Sequence, residues 1–149
     1  MFQFPELPER IPTHFDLKGN PDGWSSKGSF LIIMVIVIIG INIWYPLTGL
    51  FIKKMPRSLV NIPNKDYWYS TPERIEYMTG VFKTMMAMIF GIMNLIFIYL
   101  LYYTHQMALE LEPFMPMWSV FIPVLVLTIY PIVYLYKKLK IPPDHGLPR

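Results

Sequence analysis

The chain has no cysteine, few charged residues and only three histidines, and each shortage closes off a class of function. Without cysteine there is no disulfide scaffold and no thiolate metal site, and the redox state of the compartment leaves no mark on the sequence. Charged residues make up 15% of the 149 residues, against about 25% in soluble domains. The net charge of +3 is small and dispersed, so nucleic acid is not expected as a partner. No phosphate-binding loop, nucleophile elbow, paired histidines at helical spacing or dinucleotide fingerprint is present. With the histidines scattered at positions 14, 105 and 145, no catalytic assembly and no cofactor are expected.

What fills the chain is hydrocarbon: 54% of residues are hydrophobic and 16% aromatic. A membrane crossing needs roughly 20 apolar residues in a helix. Residues 30–52, 81–104 and 117–136 each meet that requirement. The first follows 29 largely polar residues without a basic leader, so it is not a cleaved signal. The expected fold is an all-α membrane protein of one domain, with three transmembrane helices and an ordered extracytoplasmic loop at the N-terminus.

Charge distribution gives the orientation, because basic residues near the ends of spans are retained in the cytoplasm. Residues 53–80 carry Lys53, Lys54, Arg57, Lys65 and Arg74, and residues 137–149 carry Lys137, Lys138, Lys140 and Arg149. Residues 105–116 instead carry Glu110 and Glu112, and residues 1–29 balance Arg10, Lys18 and Lys27 against Glu6, Glu9, Asp16 and Asp22. The expected topology is therefore a cap (1–29) and a short loop (105–116) outside, with a longer loop (53–80) and tail (137–149) inside. The expected location is a membrane crossed several times, with the opening stretch outside and the C-terminus inside.

Helix is impossible over the cap, where Pro5, Pro8, Pro12 and Pro21 alternate with Gly19, Gly23 and Gly28. Asn20-Pro21-Asp22-Gly23 reads as a tight turn, across which R-I-P-T-H-F and G-W-S-S-K can pair. Phe2, Phe4, Leu7, Ile11, Phe15, Leu17 and Trp24 give the cap an apolar side suited to a membrane surface. His14, Phe15, Asp22 and Trp24 are the expected partner surface. His14, Asp16 and Asp22 are ligand types for a divalent metal, but one histidine and two acids more commonly hold turns together, so no metal is expected.

Asn42 in the first span and Asn94 in the second are amides in hydrocarbon, expected to hydrogen-bond to neighbouring helices; the alternative is a polar pocket. No span has an ionisable residue near its centre, which argues against an ion channel or a proton-coupled transporter. Met85, Met86, Met88 and Met93 read as adaptable packing rather than soft-metal ligands. Pro123 and Pro131 predict bends in the third span. In the inner loop, Ser70 or Thr71 caps a helix that feeds the second span, with Pro72 in its first turn. Lys65, Asp66, Tyr67, Trp68, Tyr69 and Arg74 read as an anchor at the membrane interface, where the basic residues meet anionic lipid.

Taken together, L-P-E-R-I-P-T-H-F-D-L-K-G-N-P-D-G-W-S-S-K-G-S-F and, one span later, N-I-P-N-K-D-Y-W-Y-S-T-P-E-R resemble the bacterial domain of unknown function 1648. That membrane domain is also found at the N-terminus of SdpI-type immunity proteins, and the similarity covers most of residues 5–104. In the family a hydrophobic span precedes the L-P-x-x-I-P-x-H-F string, so the resemblance implies a fourth, N-terminal span that is missing from this sequence. It also implies resistance to a secreted toxic peptide or sequestration of a regulator at the membrane. The leading expectation is a non-enzymatic inner-membrane protein that binds a partner or secreted peptide through its cap. The alternative is a structural accessory subunit among other membrane protein subunits; a small metal-dependent membrane enzyme centred on His14 ranks third.

Overall fold

The computed structural model describes residues 7–141, the side chain of Lys53 excepted. Phe2, Phe4, His145 and Arg149 lie outside the described residues. Two strands come first, β1 (Arg10–Phe15) and β2 (Pro21–Ser26), followed by α1 (Lys27–Lys54), the single turn α2 (Lys65–Trp68), α3 (Pro72–Ala108) and α4 (Trp118–Lys138). Helices α1, α3 and α4 are long and apolar enough to cross a membrane, and this is a multi-pass membrane protein. Only 6% of each apolar window is buried, so the spans turn their hydrocarbon outward, as a lipid solvent requires. The Ile- and Val-rich run of α1 stays helical despite modest intrinsic propensity, because in lipid every backbone amide must be satisfied within the segment.

The described residues fall into two compact units. The first unit joins residues up to Ile41 with Ile92–Leu125. In it β1 and β2 pair antiparallel, with Pro12 opposite Trp24 and His14 opposite Gly23, and the register shifts on either side of His14. Ser26 caps α1 by accepting the Ser29 amide at 3.2 Å on its hydroxyl. Leu7, Ile11, Phe30 and Ala108 form the apolar cluster beneath the hairpin.

Where the chain reverses differs from the expected position. The connection closes over residues 16–20, and Pro21-Asp22-Gly23 is already strand. Asp16 accounts for this: its carboxylate accepts the amides of Lys18 at 2.8 Å and Asn20 at 2.9 Å, and the Asn20 side chain at 3.0 Å. Gly19, with φ +89°, supplies the left-handed residue this loop needs. Gly23 serves space rather than dihedral freedom, since a Cβ there would lie 2.7 Å from the His14 Cβ.

The second unit joins Asn42–Gly91 with residues from Val126 onward. Its core is Val60, Ile62, Trp68, Met78, Val81 and Leu139. Helix α3 starts as its sequence predicts, with the Thr71 hydroxyl accepting the Arg74 amide at 3.4 Å and Pro72 opening the helix. From there one continuous helix of 37 residues leads through the second apolar span. Within this unit α1 and α3 run antiparallel, placing Tyr45 against Phe90 with ring centroids 5.8 Å apart and Gly49 beside the Lys83 stem.

Candidate functional site

In the first unit the hairpin is fastened at both ends. The Lys27 amide donates to the Glu9 carbonyl at 3.0 Å, and the Lys27 ammonium reaches the Leu7 carbonyl at 3.1 Å. At the turn, the Met115 amide donates to the Gly19 carbonyl at 2.9 Å. Met115 is almost fully buried, so the connection between α3 and α4 is pressed onto the hairpin loop. That connection leaves α3 through a Schellman motif: Leu111 N–H bonds the Gln106 carbonyl at 2.9 Å and Glu110 N–H the Met107 carbonyl at 3.1 Å. Glu110 occupies the left-handed position, φ 58°, that glycine ordinarily takes.

A cavity of about 270 Å³ lies against the fastened hairpin, with His14 and Phe15 on one side and Phe97, Leu101 and Val120 on the other. A second, almost wholly apolar hollow of about 330 Å³ shares Phe30, Met34, Leu101 and Thr104 with it and extends to Leu7 and Ile38. His14 and Asp22 are hydrogen-bonded through Nδ1 and the carboxylate on the exposed side of the hairpin. The carboxylate orients the imidazole, so that Nε2 is the nitrogen left for a ligand. The arrangement can bind an apolar group while offering polar contacts from Thr13, His14 and Thr104.

The expected surface residues thus separate into roles. His14 and Asp22 are brought together, His14 and Phe15 line the cavity, and Trp24 stands 48% exposed on β2. Asp16 does not join them: its oxygens are spent inside the turn, and the Asn20 hydrogen bonds hold its carboxyl below the ordinary value of 3.8. No group of three metal-ligating side chains occurs among the described residues.

Of the residues expected as an interface anchor, Trp68 is buried, Asp66 is exposed and Lys65, Tyr67, Tyr69 and Arg74 are half-buried. Trp68 is fully buried, its Nε1 donating to the Leu139 carbonyl at 2.9 Å and its ring stacked on Tyr77 with centroids 5.4 Å apart. Asp66 pairs with Arg57, and Lys65 opens the single turn α2. Arg57 lies over the Tyr69 ring at 5.3 Å and Arg74 over the Tyr67 ring at 3.9 Å. Asn42 is exposed on α1 and Asn94 half-buried on α3.

The link between Gly19 and Met115 was invisible in sequence because the partner atoms are backbone groups 96 positions apart. Its one signal was the glycine closing the D-L-K-G-N loop, which looked like turn chemistry alone.

Three apolar spans and a fastened hairpin define a helical multi-pass membrane protein carrying a small β cap. A family model, described as a domain of unknown function (DUF1648), matches residues 1–40, so the expected family is found in the segment that forms the hairpin and the start of α1. The match stops short of N-K-D-Y-W, narrowing the similarity expected as far as residue 104. No curated protein and no solved structure matches the chain.

Proposed function

We propose that this is a non-enzymatic protein of the bacterial inner membrane whose hairpin faces outward and binds a secreted peptide, in the manner of an SdpI-like immunity or signalling protein. One observation carries the reading: the hairpin is held in place by Lys27 and Met115 beside a cavity of about 270 Å³ that the hairpin residues Thr13, His14 and Phe15 help to line. A pre-formed, mostly apolar hollow with a few polar groups is what an apolar side chain of a peptide requires. The outward orientation is supported by the basic residues at Lys54, Arg57, Lys65 and Arg74 and at Lys137, Lys138 and Lys140, against Glu110 and Glu112 in the opposite connection.

The test is a variant in which Phe15 and Val120 are both replaced by tryptophan, which fills the cavity without removing the hairpin. Cells carrying it become sensitive to the secreted peptide that the wild type tolerates, and the purified variant no longer retains that peptide. Unchanged tolerance together with unchanged retention refutes the reading. A reporter fused after Arg149 is active only in the cytoplasm.

A second reading, a structural accessory subunit, is favoured by the small buried share of all three spans, which leaves much lateral surface for neighbouring helices. Purification in gentle detergent separates the two: a fixed multi-subunit assembly supports the accessory role, an isolated monomer or homodimer the first.

A further inference from the structure

The second unit contains a groove that the hairpin reading does not use. About 640 Å³ in volume, it runs beside the first turns of α3, with Tyr69, Glu76, Thr79 and Lys83 along it and Ile52 of α1 and Met55 just after it also lining it. Lys83 also borders a second hollow of about 330 Å³, formed with Tyr45, Pro46, Gly49 and Leu50 of α1. The Lys83 side chain therefore borders both hollows. Its stem lies close against Gly49, where a Cβ would come within 3.4 Å of the Lys83 Cε.

Glu76 and Lys83 are two turns apart on one helix face, a rise of about 10.5 Å. Both are exposed, and the ion pairs among the described residues, His14 with Asp22 and Arg57 with Asp66, involve neither. Lys83 lies within the apolar span, while Glu76 lies nearer the start of α3. A groove with an anion nearer the start of α3, a cation deeper and a further hollow that Pro46 and Leu50 help to line has the charge order of one particular lipid type. In a phosphoethanolamine headgroup the ammonium is outermost, the phosphate is deeper, and the acyl chains follow. Extended by a charge-assisted hydrogen bond of about 2.8 Å at each end, such a headgroup covers the same order of length as the Glu76 to Lys83 rise. A headgroup with phosphate but no ammonium would leave Glu76 facing net negative charge.

We propose that this groove is a binding site for one phosphatidylethanolamine molecule, with Lys83 holding the phosphate, Glu76 the ammonium, and the hollow at Pro46 and Leu50 the start of an acyl chain. The site lies in the leaflet next to the α1 to α3 connection and does not depend on what the hairpin binds.

The experiment is native mass spectrometry of the full chain released from vesicles of phosphatidylethanolamine and phosphatidylglycerol in equal amounts. The wild type retains phosphatidylethanolamine at least fivefold over phosphatidylglycerol. E76Q brings that ratio close to one while keeping total lipid, and K83M lowers retention of both lipids at least fivefold, with K83R restoring it. Equal retention of the two lipids by the wild type, or an E76Q variant that keeps the preference, overturns the proposal. Helical circular dichroism reports folding of each variant. Should K83M fail to fold, the E76Q comparison alone decides, because Glu76 is an exposed residue whose amide replacement keeps its shape.

Discussion

The indole Nε1 of Trp68 donates to the carbonyl oxygen of Leu139 at 2.9 Å, and both residues are completely buried. Leu139 directly follows α4, whose last carbonyls have no partner within the helix. The single turn α2 thus supplies, from 71 positions away, the donor that closes the end of α4. Asn64 adds a weaker contact to the same oxygen at 3.5 Å, and the Tyr77 hydroxyl reaches the neighbouring Lys138 carbonyl at 3.5 Å. The loop between the first two spans is therefore the partner of the third span's end.

Replacing Trp68 by Phe keeps much of the ring and removes the donor. Leaving a buried carbonyl short of its principal partner costs about 1–3 kcal/mol, so Trp68→Phe lowers the unfolding midpoint in mixed detergent micelles. Trp68→Ala adds an unfilled cavity and costs more, about 3–5 kcal/mol. Equal midpoints for wild type and Trp68→Phe would show that water replaces the indole at Leu139.

Gly19 cannot take a side chain. Its φ is +89° and a Cβ would fall 1.8 Å from the Met115 carbonyl oxygen. Gly19→Ala therefore has to break the contact with Met115, and limited proteolysis within residues 109–117 accelerates. Gly28→Ala, where a Cβ meets nothing within 4 Å, leaves the digestion pattern unchanged.

At Glu110 the reverse substitution is favourable. A non-glycine residue in the left-handed region costs about 1–2 kcal/mol, and Glu110 sits there with φ 58°. Glu110→Gly relieves that cost, partly offset by the greater freedom of the unfolded chain. The expected result is a small rise in thermal midpoint, reflecting a stabilisation of about 1 kcal/mol or less.

Acid loosens the hairpin turn in a defined direction. Asn20 holds the Asp16 carboxyl below its ordinary value of 3.8 in the folded protein. A group depressed in this way contributes its full stability above that ordinary value and loses it as pH falls through the lower, folded value. Hydrogen exchange at the Lys18 and Asn20 amides accordingly stays slow down to about pH 3.8 and quickens below it. In Asp16→Ala those amides exchange quickly throughout, with no step in acid.

Much of the architecture follows from local chemistry. The spans are legible because lipid admits only helices of sufficient apolar length. The Thr71-Pro72 start of α3 is legible because a cap and a proline act on their own first turn. Pairing of R-I-P-T-H-F with the segment around Trp24 follows from prolines and glycines that exclude helix. The position of the turn, however, depended on whether Asp16 or the Asn20-Pro21-Asp22-Gly23 string captured the reversal, and the carboxylate's three hydrogen bonds favoured the first. Long-range contacts were beyond local reasoning altogether. Tyr67-Trp68-Tyr69 has the composition of a headgroup anchor, and only the approach of the Leu139 carbonyl gives Trp68 its further part as the donor at the end of α4. Likewise the Met115 amide decided that Gly19 is a docking point as well as a turn residue. Composition and periodicity determine which segments enter the membrane; which backbone atoms meet across 70 or more positions is decided by tertiary packing, where a buried carbonyl must find a donor wherever the fold places one.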